Sequence, residues 1–261
     1  MPARSIKSCA ITFGMISIPV KVFTMTADED AKFHQAHANC GSRIKYKKFC
    51  AMEDCEVLAE QIERVFEYAK GTDIVVPDSV IAGLPIPSKL TLDLQGFVDG
   101  ESIDPVYLEK AYWLEPEKVG LKPYQMLRLG MVDKAVWAVG KICLRNKEAV
   151  CILRPAYGAI LMHTLFWPGE VRTDQVPTLP EPAINEMEMG MVHQLIDGTT
   201  VSQFIPEQFI NVYQIKLMEA IEALKDGTPL EEVKAHMPEP TQEPDIMALL
   251  KQSLANLKKP E

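Results

Sequence analysis

A mixed, mainly β fold, with a core closed or nearly closed into a barrel and a C-terminal helical arm, is what the sequence predicts. Three observations carry that expectation. Short alternating apolar runs recur through the first 165 residues, a proline-studded stretch follows Trp167, and apolar residues then return at helical spacing.

The first strands are read at Ser8 to Gly14 and Ile16 to Phe23, with Gly14 and Pro19 marking bends or a sheet edge. Val65 to Tyr68 and Asp73 to Val76 flank Ala69-Lys70-Gly71-Thr72, a hairpin turn in which Gly71 supplies the unusual backbone angles. A second hairpin pairs Lys134 to Leu144 with Glu148 to Arg154 across Arg145-Asn146-Lys147, and Gly158 to Trp167 adds a third apolar run. Helical pattern interrupts the strands at Leu58 to Arg64, Pro77 to Leu84 and Pro123 to Val132.

Pro168, Pro177, Pro180 and Pro182 punctuate a linker. Beyond it Ile184, Met187, Met191 and Leu195 form a stripe that stops at Gly198, and a further helix runs from Pro206 to Gly227. Thr228-Pro229-Leu230-Glu231 carries a cap, a proline at the first helical position and a capping-box acid, and Ile246 to Leu257 is amphipathic. The expected division is a barrel core over 1–182 and a helical arm over 183–261.

An apolar content of 47% is ample for a buried core, and no run approaches the ~18 apolar residues of a membrane span. The start, Met1 to Lys7, lacks a secretion signal, so a cytoplasmic protein with reduced thiols or a metal site is expected, not a disulfide framework. The net charge of -9 hides a segregated distribution. Residues 1–50 hold 8 Lys or Arg against 3 Asp or Glu, and residues 120–172 again hold 8 against 3, whereas 51–119 hold 5 against 15 and 173–261 hold 6 against 15. Two basic blocks on an acidic body suit local attraction of a polyanion.

Catalytic signatures are missing: there is no Gly-rich phosphate loop with Lys-Ser or Lys-Thr, no His-Glu-x-x-His, no Gly-x-Ser-x-Gly and no Gly-x-Gly-x-x-Gly. His163 and His193 fall within apolar patterns and read as structural. His34-x-x-His37-x-x-Cys40 followed by Cys50 and Cys55 offers ligand types for a structural zinc, the candidate set being His37, Cys40, Cys50 and Cys55, but the Cys50-x-x-x-x-Cys55 spacing is loose for a zinc knuckle, so reduced thiols are the expectation and zinc the alternative. Between them lies Arg43-Ile44-Lys45-Tyr46-Lys47-Lys48-Phe49. As a strand it would line up Arg43, Lys45 and Lys47 on one face, a row of cations suited to phosphates, with no Asn or Gln beside them to read base edges. The second basic block contributes Lys141, Arg145, Lys147, Arg154 and Arg172, with Lys141 and Arg145 on one strand face and Lys147 at the turn.

Over nearly its whole length the sequence resembles the prokaryotic Ku family of DNA-end-binding proteins. The carriers are Ile11 to Val22, Phe33 to Lys48, Ile103-Asp104-Pro105-Val106-Tyr107, Arg154-Pro155, His163-Thr164-Leu165, Glu170-Val171-Arg172 and Gln194-Leu195-Ile196-Asp197, in that order and spacing. The resemblance implies a barrel with a bridge, a homodimer whose bridges ring double-stranded DNA ends, an arm embracing the partner, and recruitment of the ATP-dependent DNA ligase of bacterial end joining. DNA contacts are then expected from Arg43, Lys45, Lys47, Lys48, Lys141, Arg145, Lys147, Arg154 and Arg172, with no catalytic residue and no required cofactor. Relatives commonly space the last two cysteines as Cys-x-x-Cys, where this chain has Cys50-x-x-x-x-Cys55, and their lysine-rich tail is here only Lys258 and Lys259. Two readings from other classes are a zinc-dependent nucleic-acid enzyme built on the cysteine cluster and an acidic protein-binding scaffold.

Overall fold

A computed structural model describes residues 4–86, 88, 90–182, 184–227 and 246–257. The chain divides into two compact units, Met1–Val176 and Pro177–Glu261.

Seven strands of the first unit close into a barrel in the order β1-β2-β6-β9-β8-β7-β5: β1 Lys7–Phe13, β2 Ile16–Thr24, β5 Thr91–Asp99, β6 Leu108–Pro116, β7 Val136–Leu144, β8 Lys147–Ala156 and β9 Ala159–Leu165. Each neighbouring pair is antiparallel except the closing one. There Ala10, Ile11 and Thr12 of β1 run parallel to Thr91, Leu92 and Asp93 of β5. Closure leaves no free edge among these strands, which is how an all-β core avoids pairing with foreign strands.

Alternation decides what lies inside. Ile11, Ile18, Val20, Val22, Leu92, Leu114, Ala138, Ile142, Cys151, Leu153, Ile160 and Met162 are all at most 2% exposed and form one cluster. Helix α2, Leu121–Lys134, adds Tyr124 and Met131 to it. The Tyr124 hydroxyl donates to the Leu114 carbonyl and accepts the Ile160 N–H, both at 2.7 Å, so one buried phenol ties β6 to β9. A buried pair of such bonds contributes about 1–3 kcal/mol, mostly because losing the hydroxyl would strand its partners.

The 66 residues from Met25 to Leu90, inserted between β2 and β5, hold a two-stranded hairpin, β3 Val65–Ala69 with β4 Thr72–Val75, and a short helix α1, Asp78–Gly83. Val65, Phe66, Tyr68, Ile74 and Val75 on this hairpin are all exposed. The expected helix at Leu58 to Arg64 shrinks to a single 3-10 turn, Ala59–Gln61.

In the second unit α3 spans Glu186–Thr199, α4 Val212–Lys225 and α5 Ile246–Leu257, with α3 and α5 in contact. Asn185 and Glu188 form a reciprocal capping box at the start of α3, at 2.9 and 3.0 Å. Gly198 does not stop this helix as expected. The Thr199 and Thr200 hydroxyls donate to the carbonyls of Leu195 and Ile196, so the end is satisfied by side chains one turn back. The expected helix start at Thr228 to Glu231 lies outside the described residues, as do Lys258 and Lys259.

Candidate nucleic-acid interface

Arg43, Lys45, Lys47 and Lys48 sit in the insertion between β2 and β3, all exposed. The expected regular strand over Arg43 to Phe49 is not formed. The segment is anchored at its two ends by isolated bridges, Ala36 to Arg43 and Phe49 to Glu56, and has no ladder between them. Its cations therefore project from a chain held at both ends, not from a sheet face. Lys47 is neutralised by Glu56 at 2.6 Å, whereas no ion pair engages Arg43, Lys45 or Lys48 among the described residues.

The second basic block separates into two groups. Arg145 and Asn146 form the two-residue turn joining β7 to β8, with φ of 50° and 64°, the left-handed pair that a tight hairpin requires. Arg145 and Lys147 are exposed there without an ion pair among the described residues, and Arg172 is likewise exposed beyond β9. Arg145 thus belongs to the turn and not to the Lys141 strand face. Lys141 is committed elsewhere, 3.5 Å from Glu148 and 5.7 Å from the Trp167 ring centroid. The hairpin tip borders a cleft of about 850 Å³ that also contains Glu109, Glu148 and Glu170. The cleft is mixed in sign, so the tip itself is what presents net positive charge.

Arg154 is held on both sides. Its Nε donates to His163 Nε2 at 3.2 Å and its guanidinium lies 5.8 Å from the Trp137 ring centroid. Trp137 precedes, and Arg154 follows, the paired Ala138 and Leu153, so this contact depends on strand register, which composition and charge do not disclose. Desolvation first, and the Arg154 charge second, lower the His163 pKa below 6.5. A histidine whose folded pKa is depressed adds stability that is complete above its unfolded pKa and is lost as pH falls through the folded value. Melting temperature should therefore fall as pH drops below about 6.5, and His163→Gln should flatten that slope in thermal melts between about pH 5 and 7.

The cysteines fall into two groups. Cys9, Cys143 and Cys151 are buried in the barrel, where burial pushes the Cys9 and Cys151 thiols upward, while Cys40, Cys50 and Cys55 lie in the insertion. His37 Nδ1 is 3.2 Å from Cys40 Sγ. Cys50 and Cys55 instead sit opposite each other in the backbone of a separate turn, where the Cys50 N–H donates to the Cys55 carbonyl at 2.9 Å. Among the described residues no three His, Cys, Asp or Glu side chains converge on a point that could hold a metal ion. His37, Cys40, Cys50 and Cys55 are thus arranged as two half-sites and do not fit a four-ligand zinc as placed.

The family model described as the Ku70/Ku80 beta-barrel domain matches residues 12–191. A protein of Streptomyces avermitilis named non-homologous end joining protein Ku is 34% identical over 256 residues, covering 98% of this chain and 80% of the relative. Its namesake from Mycobacterium tuberculosis is 31% identical over 261 residues, covering 96% and 94%. The Ku 2 protein of Saccharopolyspora erythraea is 34% identical over 247 residues, covering 92% and 79%. With the matched region holding six of the seven barrel strands whole and the end of β1, and the similarity running through insertion and arm alike, the chain belongs to the Ku family.

Proposed function

We propose that this chain binds the ends of double-stranded DNA in non-homologous end joining, encircling the duplex as a homodimer and recruiting the ATP-dependent DNA ligase of bacterial end joining. The observation that carries the reading is a Ku barrel bearing six exposed cations, Arg43, Lys45, Lys48, Arg145, Lys147 and Arg172, free of ion pairs among the described residues. Such cations suit phosphates and carry no sequence information. Lys47, Lys141 and Arg154 already have protein partners and contribute less.

Exposed apolar surface supports the homodimer. Phe204, Phe209, Tyr213 and Leu224 of the arm are each at least 64% exposed in the single chain, and the β3–β4 hairpin is apolar and exposed as well. Burying such side chains against a second copy is favourable by roughly 1.5–3 kcal/mol each. In this reading no bond is made or broken, no cofactor is required, and the protein works in the cytoplasm at the nucleoid. No described helix is long and apolar enough to cross a membrane.

The test is the salt dependence of binding to a short blunt duplex. Neutralising six or more phosphates should cost about 10³-fold in affinity, or more, between roughly 50 and 200 mM salt. A flat dependence would remove the proposed contacts.

A further inference from the structure

Two turns in the insertion share one backbone design. In each, the opening residue donates its N–H to the carbonyl five positions on, His37 to Ser42 and Cys50 to Cys55, both at 2.9 Å. Its own carbonyl accepts the N–H four positions on, from Gly41 at 2.8 Å and from Asp54 at 3.0 Å. That fourth residue is left-handed in both turns, φ 65° at Gly41 and 48° at Asp54. The flanking bridges, Ala36 with Arg43 and Phe49 with Glu56, make His37 with Ser42 and Cys50 with Cys55 directly opposed pairs.

The first turn opposes an imidazole to a hydroxyl. The second opposes two thiols. Directly opposed residues of an antiparallel pair hold their Cα atoms about 4.5–5.5 Å apart, inside the span of about 4.4–6.8 Å that a disulfide bridges. Cys55 is exposed and Cys50 partly so. The Cys50 sulfur faces the N–H groups of Met52 and Glu53, and Cys55 Sγ rests 3.6 Å from Glu53 Oε2, an exposed contact that rotation about one bond releases.

We propose that Cys50 and Cys55 form a modification site, a dithiol oxidised reversibly to an intrachain disulfide by a hydroperoxide. The Cys50 sulfur attacks the peroxide O–O bond and takes one oxygen, giving a sulfenic acid and releasing an alcohol or water. The Cys55 sulfur then attacks the Cys50 sulfur, forming the S–S bond, and the sulfenic oxygen leaves with the thiol proton as water. Two electrons pass from the thiols to the peroxide, and a small dithiol reverses the exchange. The same spacing that departs from Cys-x-x-Cys is what places the second thiol opposite the first.

The test treats the full chain, washed with chelator, with hydrogen peroxide, labels remaining thiols with a maleimide and maps the peptides. Cys50 and Cys55 should lose label together as one linked pair and regain it with dithiothreitol, while Cys40 forms no linkage. In Cys55→Ser the reaction should stop at a Cys50 sulfenic acid that dimedone traps. A Cys40 linkage, a crosslink between chains, or full label retained at both positions would overturn the proposal.

Discussion

Replacing Arg43, Lys45, Arg145 and Lys147 together by alanine removes eight cations from the proposed homodimer, so it should lower affinity for a blunt duplex by at least about 10³-fold and make the salt slope shallower by about seven units. All four are exposed and unpaired among the described residues, so truncation removes positive charge without orphaning a buried partner. Fold stability should hardly change, because surface substitutions away from caps and pairs stay within about 0.5 kcal/mol. Lys47→Ala is the internal comparison: its ammonium is already held by Glu56 at 2.6 Å, so its loss should weaken binding far less than loss of Lys45. Equilibrium binding across a salt series checks both statements. Equal effects at Lys45 and Lys47 would show that the ion pair does not govern which cations reach phosphate.

Gly140→Ala should be among the most damaging single changes to the barrel. Gly140 lies in β7 between Leu94 of β5 and Cys151 of β8, and a Cβ there would come 2.3 Å from the Asp93 carbonyl oxygen and 3.2 Å from the Leu94 Cα. Both are backbone atoms, so relief requires the β5–β7 ladder to move just where its register already shifts between Leu94 and Gly96. Overpacking of this kind costs about 3 kcal/mol, equivalent to a fall in melting temperature of roughly 6–12 °C for a chain of this size. Gly130 provides the contrast, since it lies within α2 and a Cβ there meets nothing. Gly130→Ala should be neutral or stabilising by up to about 1 kcal/mol. Thermal melts of the two variants side by side separate backbone collision from a general intolerance of alanine for glycine.

Where local pattern coincides with local structure, the chain was readable from its residues. The β7–β8 hairpin follows the apolar runs on either side of Arg145-Asn146, and α5 occupies Ile246–Leu257 as its periodicity predicts. Strands β5 and β6 went unnamed for a physical reason. In β5 burial alternates throughout, but Gly96 takes an inward position and Phe97 an outward one, and in β6 the register shifts between Leu108 and Lys110, so the apolar pattern alone does not display the period of two. Arg43 to Phe49 shows the opposite failure: its alternation is that of a strand, but no neighbour completes the ladder, and extended backbone alone does not make one. For the interface, charge segregation located both basic blocks. It could not tell the free cations from Lys141 and Arg154, whose partners Glu148, Trp167, Trp137 and His163 are set by strand pairing and by the chain's path after β9.

Binding to one short duplex, offered either with open ends or closed by a hairpin loop at each end, tests the central claim most directly. A clamp that threads onto free ends should bind the open duplex in a salt-sensitive way and lose that binding on the closed one. Equal affinity for both forms would contradict end recognition and leave only a basic surface patch.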